Sequence, residues 1–280
     1  MTRKVSLAIS VEHLTFRYPS GHEALRDMSL AIETGRIVAL IGKNGAGKTT
    51  LARHFNGLLK STSGKVIVRG VDPSKESVSQ MAREVGYVFQ NPEDQLFGSS
   101  VFEEVAFGPR NLGMGEEQIK RQVETSLSAV GLLSYVSEHP YNMTYGQRKM
   151  LCLASVLAMD TRIVIMDEPN AGQDYKGLLL LGSILQQLGR VGKTVLVISH
   201  DMEFVARYCE DVVLMCDGKI MAHDSPKRVL SDQSKLEISG ARPPQVTRLA
   251  LNLSTQGIRS DIITVEEMVE VLVERKRKAG

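Results

Sequence analysis

The chain has 280 residues, enough for one large domain, or for a domain of about 200 residues with a small appendage. Its 34 lysines and arginines against 32 aspartates and glutamates leave a formal charge of +2, which excludes nucleic-acid binding by bulk electrostatics. Three cysteines, Cys152, Cys209 and Cys216, form no CxxC pair and lie in apolar or helical surroundings. They read as buried thiols in a reducing compartment, not as metal ligands or disulfides.

In chain order, the N-terminal MTRKVSLAIS lacks the apolar core of a signal peptide. No apolar run approaches the roughly 18 to 20 residues that span a bilayer, so any membrane role is expected from the cytoplasmic face. VEHLTFRY and MSLAIE, within residues 1 to 33, alternate like antiparallel strands. RIVALIG (36–42), VGYVFQ (85–90), RIVIMDE (162–168), TVLVISH (194–200) and DVVLMCDG (211–218) are short apolar runs bounded by turn signals. Such runs suit strands buried on both faces of a largely parallel sheet. Helical patterns at 49–58, 115–130, 147–159, 176–188 and 201–208 lie between them, giving an α/β order.

Between Gln90 and Asn142 only FEEVAFG and EEQIKRQVETSLSAVGLL show a pattern, so a helical insertion is expected over about 92–160. SDQSKLEISGARPP (231–244) breaks the chain with Ser, Gly and Pro. Beyond it, QVTRLALNL and TVEEMVEVLVE predict two helices, the second opened by Thr264 and Glu267 at capping-box spacing. The expected division is therefore 1–235 and 236–280. The basic cluster Arg275 to Lys278 reads as a solvated end.

The strongest local signal is GKNGAGKT, a G-x-x-x-x-G-K-[ST] loop with a strand-like run before it and a helical pattern after it. Its residues are Gly42, Lys43, Asn44, Gly45, Ala46, Gly47, Lys48 and Thr49, followed by Thr50. The glycines let backbone N–H groups approach a phosphate, Lys48 suits β- and γ-phosphates, and the Thr49 hydroxyl suits Mg²⁺. Downstream, IVIMDEP delivers Asp167 and Glu168 at a strand end. Asp167 is placed to hold Mg²⁺ and Glu168 to polarise an attacking water. His200, ending VLVISH, and Gln90, ending VGYVFQ, are expected at the same edge, His200 to orient water or phosphate and Gln90 as a neutral ligand of Mg²⁺ or water.

Taken together, Gly42 to Thr49, Gln90, NMTYGQ, Asp167-Glu168, NAGQD and His200, in that order, resemble the ATP-binding cassette ATPases over roughly residues 5 to 230. The resemblance implies a P-loop NTPase with a mainly parallel sheet, an N-terminal antiparallel β-layer, an inserted helical subdomain and a small C-terminal helical extension. It implies ATP and Mg²⁺, with Tyr18 stacked on adenine. It places Thr144, Gly146 and Gln147 in the signature and Asp174 in the dimer-contact loop. In this family the signature helix meets the γ-phosphate held by the opposite subunit, as suits a helix N-terminus.

FQNPEDQLFGSSVFEEVAFGPRNLGM (89–114) and the C-terminal tail are similar to the energy-coupling factor ATPases, which drive uptake of vitamins and transition-metal ions. That branch implies a second ATPase subunit, identical or paralogous, a membrane coupling protein, a substrate-capturing membrane protein and no nucleic acid. Glu93, Asp94, Glu103 and Glu104 either receive basic residues of the coupling helices or form a solvated acidic face. The chain departs from the family at Thr144, Tyr145, Asn170 and Gln173, where Ser, Gly, Thr or Ser, and Leu are usual. Tyr145 puts a side chain where none is expected. The alternatives are a weakly hydrolysing regulatory half of a heterodimeric pair, or a soluble cassette ATPase not coupled to transport.

Overall fold

A computed structural model of the chain describes residues 6–279, without the side chains of residues 278 and 279. The readings of residues 1–5 and of the Lys278 side chain lie outside the described residues. The strands are β1 (Leu7–Arg17), β2 (Glu23–Glu33), β3 (Ile37–Ile41), β4 (Ser63–Val68), β5 (Val85–Val88), β6 (Ile163–Asp167), β7 (Thr194–Ile198), β8 (Asp211–Cys216) and β9 (Lys219–Asp224). The helices are α1 (Lys48–Phe55), α2 (Val78–Met81), α3 (Val101–Asn111), α4 (Glu116–Ala129), α5 (Tyr145–Ala158), α6 (Tyr175–Arg190) and α7 (Met202–Tyr208). They continue with α8 (Pro226–Leu230), α9 (Gln233–Ser239), α10 (Gln245–Asn252) and α11 (Val265–Ala279).

β1 pairs antiparallel with β2 on one side and β4 on the other. The second sheet has the order β5-β6-β7-β3-β8-β9, parallel except for β9. Its apolar runs are continuous because each strand feeds two cores. Val38, Leu40, Ile163, Ile165, Leu196 and Ile198 pack with the N-terminal sheet and with Leu51 and Phe55 of α1. Their alternates Ala39, Ile41, Val164, Met166, Val195 and Val197 pack beneath α3 to α7. Side chains of period two thus satisfy both faces.

The fold expected from sequence is present, with local differences. The run at 211–218 ends at Cys216, and Asp217-Gly218 is a hairpin turn with φ of 46° and 76°, the backbone that a two-residue primed turn requires. β9 follows, half-exposed at the sheet edge, so its apolar content is low. α3 was legible only in part because Gly108 and Pro109 interrupt its pattern, although Ser100 caps it by accepting from Glu103 N at 3.2 Å.

At the C-terminus, Ala250, Ile258, Ile262 and Met268 form a separate small core. A division between 235 and 236 falls inside α9, whose Leu236 is fully buried in the main core. Thr264 accepts from Glu267 N at 3.3 Å as the capping box requires. The return bond is shifted by one residue, since Glu267 Oε2 accepts from Ile263 N at 2.8 Å. Among the described residues no helix is long and apolar enough to cross a bilayer.

Candidate active site

The carboxyl ends of β3, β5, β6 and β7 lie side by side because these strands are parallel and adjacent in one sheet. An open α/β sheet presents its ligand crevice at that edge. There an open cleft of about 440 Å³ is lined by Tyr18, Asn44 to Thr50, Gln90, Asp167, Glu168 and His200. The sequence assigned all of these to the site, but not His22, Ala24 and Ile198, which also line the cleft.

The loop between β3 and α1 is shaped by glycine. Gly42 has φ 140°, and a β-carbon there would meet Met215 O at 2.1 Å. Gly47 has φ 100°, with Ala24 O only 2.7 Å from its would-be β-carbon, whereas Gly45 opens onto free space. Backbone fixed in this way leaves loop amides and the N-terminus of α1 directed at one place, as an anion requires. Lys48 is 6% exposed. Its ammonium donates to Gly42 O at 2.7 Å and Lys43 O at 3.0 Å. Burial lowers its pKa, against the raising influence of Glu168 and Asp167.

Asp167 Oδ2 accepts from Thr49 Oγ1 at 2.9 Å and from Tyr87 OH at 3.1 Å. A hydroxyl, a carboxylate and the nearby Gln90 amide are hard oxygen donors of the kind Mg²⁺ takes beside phosphate. Glu168 has φ 49°, a left-handed backbone uncommon for a side chain of its size, and its N–H donates to Ile198 O at 2.8 Å. Its Oε2 accepts from His200 N at 3.3 Å. Its buried Oε1 lies 3.2 Å from His200 Nε2, an ion pair only when the imidazole is protonated, and has no hydrogen-bond partner. Burial raises the Glu168 pKa to about 7 and lowers that of His200.

Tyr18 reaches the same cleft, where its OH is 3.0 Å from Thr50 Oγ1 and its ring stands edge-on to Phe16 at 4.8 Å. Two supports escaped the sequence reading. Lys149, 2% exposed, donates to Gln90 O at 2.8 Å and Asp167 O at 3.4 Å, tying two strand ends together. It shares a helical stripe with Cys152, Leu153 and Val156, all buried, and a lysine at that spacing was the available signal. Tyr87, inside β5, looked like an ordinary strand aromatic.

Thr144, Gly146, Gln147 and Asp174 do not line the cleft. Thr144 caps α5 in a capping box, donating from its N to Gln147 Oε1 at 2.9 Å and accepting from Gln147 N at 3.3 Å. Asp174 caps α6 by accepting from Gly177 N at 2.8 Å. Glu104 is not available to a partner. It is 3% exposed and accepts from Phe97 N and Gly98 N at 2.9 and 2.7 Å, which removes it from the acidic set read from sequence.

The ABC transporter family profile matches residues 25–171. A putative ABC transporter ATP-binding protein of Methanosarcina acetivorans is 41% identical over 95% of this chain and 44% of its own length. The chain thus spans less than half of that relative, and likewise 45% of the one from Methanosarcina mazei. The energy-coupling factor transporter ATP-binding protein EcfA of Methanocaldococcus jannaschii is 38% identical, covering 86% of this chain and 87% of its own. Among solved structures, cbiO1 of Clostridium perfringens, described as part of the ABC transporter complex cbiONQ, superposes with a TM-score of 0.74 at 31% identity. That alignment covers 83% of this chain and 94% of cbiO1.

Proposed function

The chain belongs to the ABC transporter family, and from that premise we propose that it is the ATP-hydrolysing subunit of an energy-coupling factor type importer for vitamins or transition-metal ions. The observation that carries the catalytic part is the single cleft in which Lys48, Thr49, Asp167, Glu168 and His200 converge.

The residues fit ATP and Mg²⁺. Thr49 Oγ1, Asp167 and Gln90 would hold Mg²⁺, which when bound would neutralise phosphate charge. Gly42 to Thr49 would wrap the phosphates with backbone N–H groups, and the Lys48 ammonium, which now donates to loop carbonyls, would instead meet phosphate oxygens. Glu168 accepts the proton of the attacking water, for which its free Oε1 is the site. His200 fixes the orientation of Glu168 through its backbone N–H. Tyr18 offers a ring face to adenine.

We read hydrolysis as needing a second ATPase subunit, because the signature residues Thr144, Gly146 and Gln147 lie outside this chain's own cleft and the N-terminus of α5 suits an anion. The EcfA and cbiO1 relatives support the importer reading, with a membrane coupling protein and a substrate-capturing membrane protein as further partners at the cytoplasmic face. A groove of about 370 Å³ holds exposed Phe97 and Phe107, edge-on at 4.6 Å, and suits an apolar coupling helix. The second reading, a weakly hydrolysing half of a heterodimeric pair, is favoured by Tyr145 in the signature.

The test is co-purification of the membrane partners from a native source, followed by ATPase assays of the chain alone and in its assembly. Isolation without any membrane protein would overturn the importer reading. Assembly-stimulated turnover that survives Glu168→Gln in this chain alone would favour the regulatory-half reading.

A further inference from the structure

The end of α9 rests on the phosphate loop, though it lies outside every phosphate motif. Lys43 N donates to Ser239 O at 3.3 Å. Gly240, with φ 67°, ends the helix so closely that a β-carbon there would sit 3.4 Å from Lys43 Cβ and 3.7 Å from Lys43 Cδ. Ser239 is fully buried, and so is Leu236 one turn earlier. The helix is therefore anchored in the core and is not a passing tail.

The other side of the loop is held by the β8–β9 turn. Gly218 N donates to Ala46 O at 3.2 Å, and the Lys43 ammonium pairs with Asp217 at 2.8 Å. The Cys216 thiol, on the same turn, lies 3.5 Å from Ile238 O and joins turn to helix. Lys43 is thus clamped through its backbone by α9 and through its side chain by the turn.

The neighbouring helix α8 links α9 to the C-terminal appendage. Lys227 on α8, which packs against α9, pairs with Asp261 at 3.3 Å and with Glu267 at 3.2 Å. We propose that α9 with its Gly240 cap is a positioning element of the nucleotide site, so that ATP affinity at Gly42–Thr49 depends on how the appendage is seated. The inference rests on the reading of Gly42–Thr49 as the nucleotide loop. It adds a route by which pairing through the appendage sets affinity. By linkage, an element that alters nucleotide affinity must itself be altered by nucleotide.

Two arms test it on the full chain. Gly240→Ala and Gly240→Leu share the strained φ, but only leucine reaches into Lys43. Binding of a non-hydrolysable ATP analogue with Mg²⁺ should be at least about fivefold weaker for the leucine variant than for the alanine variant, the low end of ordinary coupling between sites. Turnover at saturating ATP in the assembled pair should be equal, because Lys43 performs no proton transfer. Equal affinities would overturn the proposal.

Should the leucine variant fail to fold, the wild-type chain decides through amide hydrogen exchange. The analogue should slow exchange in 42–49 and also at Gly240 and Ala241, whose N–H groups close the helix on Glu237 O and Leu236 O. Protection confined to 42–49 would overturn the brace and spare the nucleotide loop. No protection at 42–49 would overturn both.

Discussion

The Tyr145 ring lies across Gly172, so closely that a β-carbon on Gly172 would come within 2.5 Å of Tyr145 Cδ1. One residue further on, Gln173 Nε2 donates to Gly146 O at 3.0 Å. Two of the positions at which the chain departs from its family, Tyr145 and Gln173, therefore join the first turn of α5 to the loop that follows Glu168. That loop is tied to the catalytic strand by Ala171 N donating to Glu168 O at 3.2 Å. Gly172→Ala should displace the ring and strain a residue at φ 75°, at about 1 to 2 kcal/mol for the left-handed backbone alone. With that strain carried into the barrier, ATPase turnover of the assembled pair should fall by about fivefold to thirtyfold, since one kcal/mol is about fivefold in rate. Adding Tyr145→Ala should recover the steric part of the loss and not the backbone part.

Glu168→Gln should keep nucleotide binding and lose turnover by about 10² to 10⁴, the usual scale of a general base. Near-normal hydrolysis would remove Glu168 from that role. Stability of the nucleotide-free chain in chelator gives a second readout. Burial raises the carboxyl from 4.5 to about 7, so the folded state holds a proton that the unfolded state has lost between those values. The contribution of Glu168 is present below pH 4.5 and lost as pH rises through about 7. Glutamine never ionises, so the advantage of the variant in thermal melts should grow from pH 5 to pH 8, toward about 2 to 3 kcal/mol.

Lys48→Ala should weaken binding of a non-hydrolysable ATP analogue, because it removes the buried ammonium of the loop, whose charge suits the β- and γ-phosphates. Calorimetry with Mg²⁺ present reads the change. An unchanged affinity would mean that Gly42 to Thr49 is not the phosphate loop.

What the sequence made legible is what chemistry spaces tightly along the chain. GKNGAGKT, the Asp167-Glu168 pair, Gln90 and His200 each follow an apolar run, and parallel strands bring such ends to one edge. Lys149, Tyr87 and Ser239 act through contacts 18 to 196 positions away, at Asp167, at Asp167 again and at Lys43, and no local pattern encodes such partners. Glu104 was misread because an acidic pair in the first turn of α3 looks solvated from sequence. Only the fold reveals that it closes the backbone of Phe97 and Gly98.

Truncation after Ala241, which leaves α9 in the chain, should lower dimer content at fixed concentration. The segment removed carries exposed Leu249, Val265, Val269, Leu272 and Val273, an apolar face of the sort that a partner covers. Light scattering measures the shift. Equal dimerisation by the shortened chain would assign the appendage another role.

The signature itself is expected to work on the partner's nucleotide. Thr144 Oγ1 already accepts from Gln147 N, which leaves the first-turn amides of Tyr145 and Gly146 without a helical partner and open to an anion. Tyr145 is parked on Gly172 yet remains 40% exposed, so bulk stays at the mouth of the helix where glycine is usual. Thr144→Ser with Tyr145→Gly keeps the cap hydroxyl and removes that bulk. The pair of substitutions should raise turnover by about twofold to tenfold, or roughly 0.4 to 1.4 kcal/mol of barrier, at the site built on the partner's phosphate loop. The site built on Lys48 should change little. The two are separated by measuring ATPase rates in the reconstituted pair with Glu168→Gln in this chain, then with the partner's catalytic glutamate replaced instead. A gain confined to the Lys48 site would refute action across the interface. No gain at either would mean that the ring, held on Gly172, never obstructs the approaching phosphate.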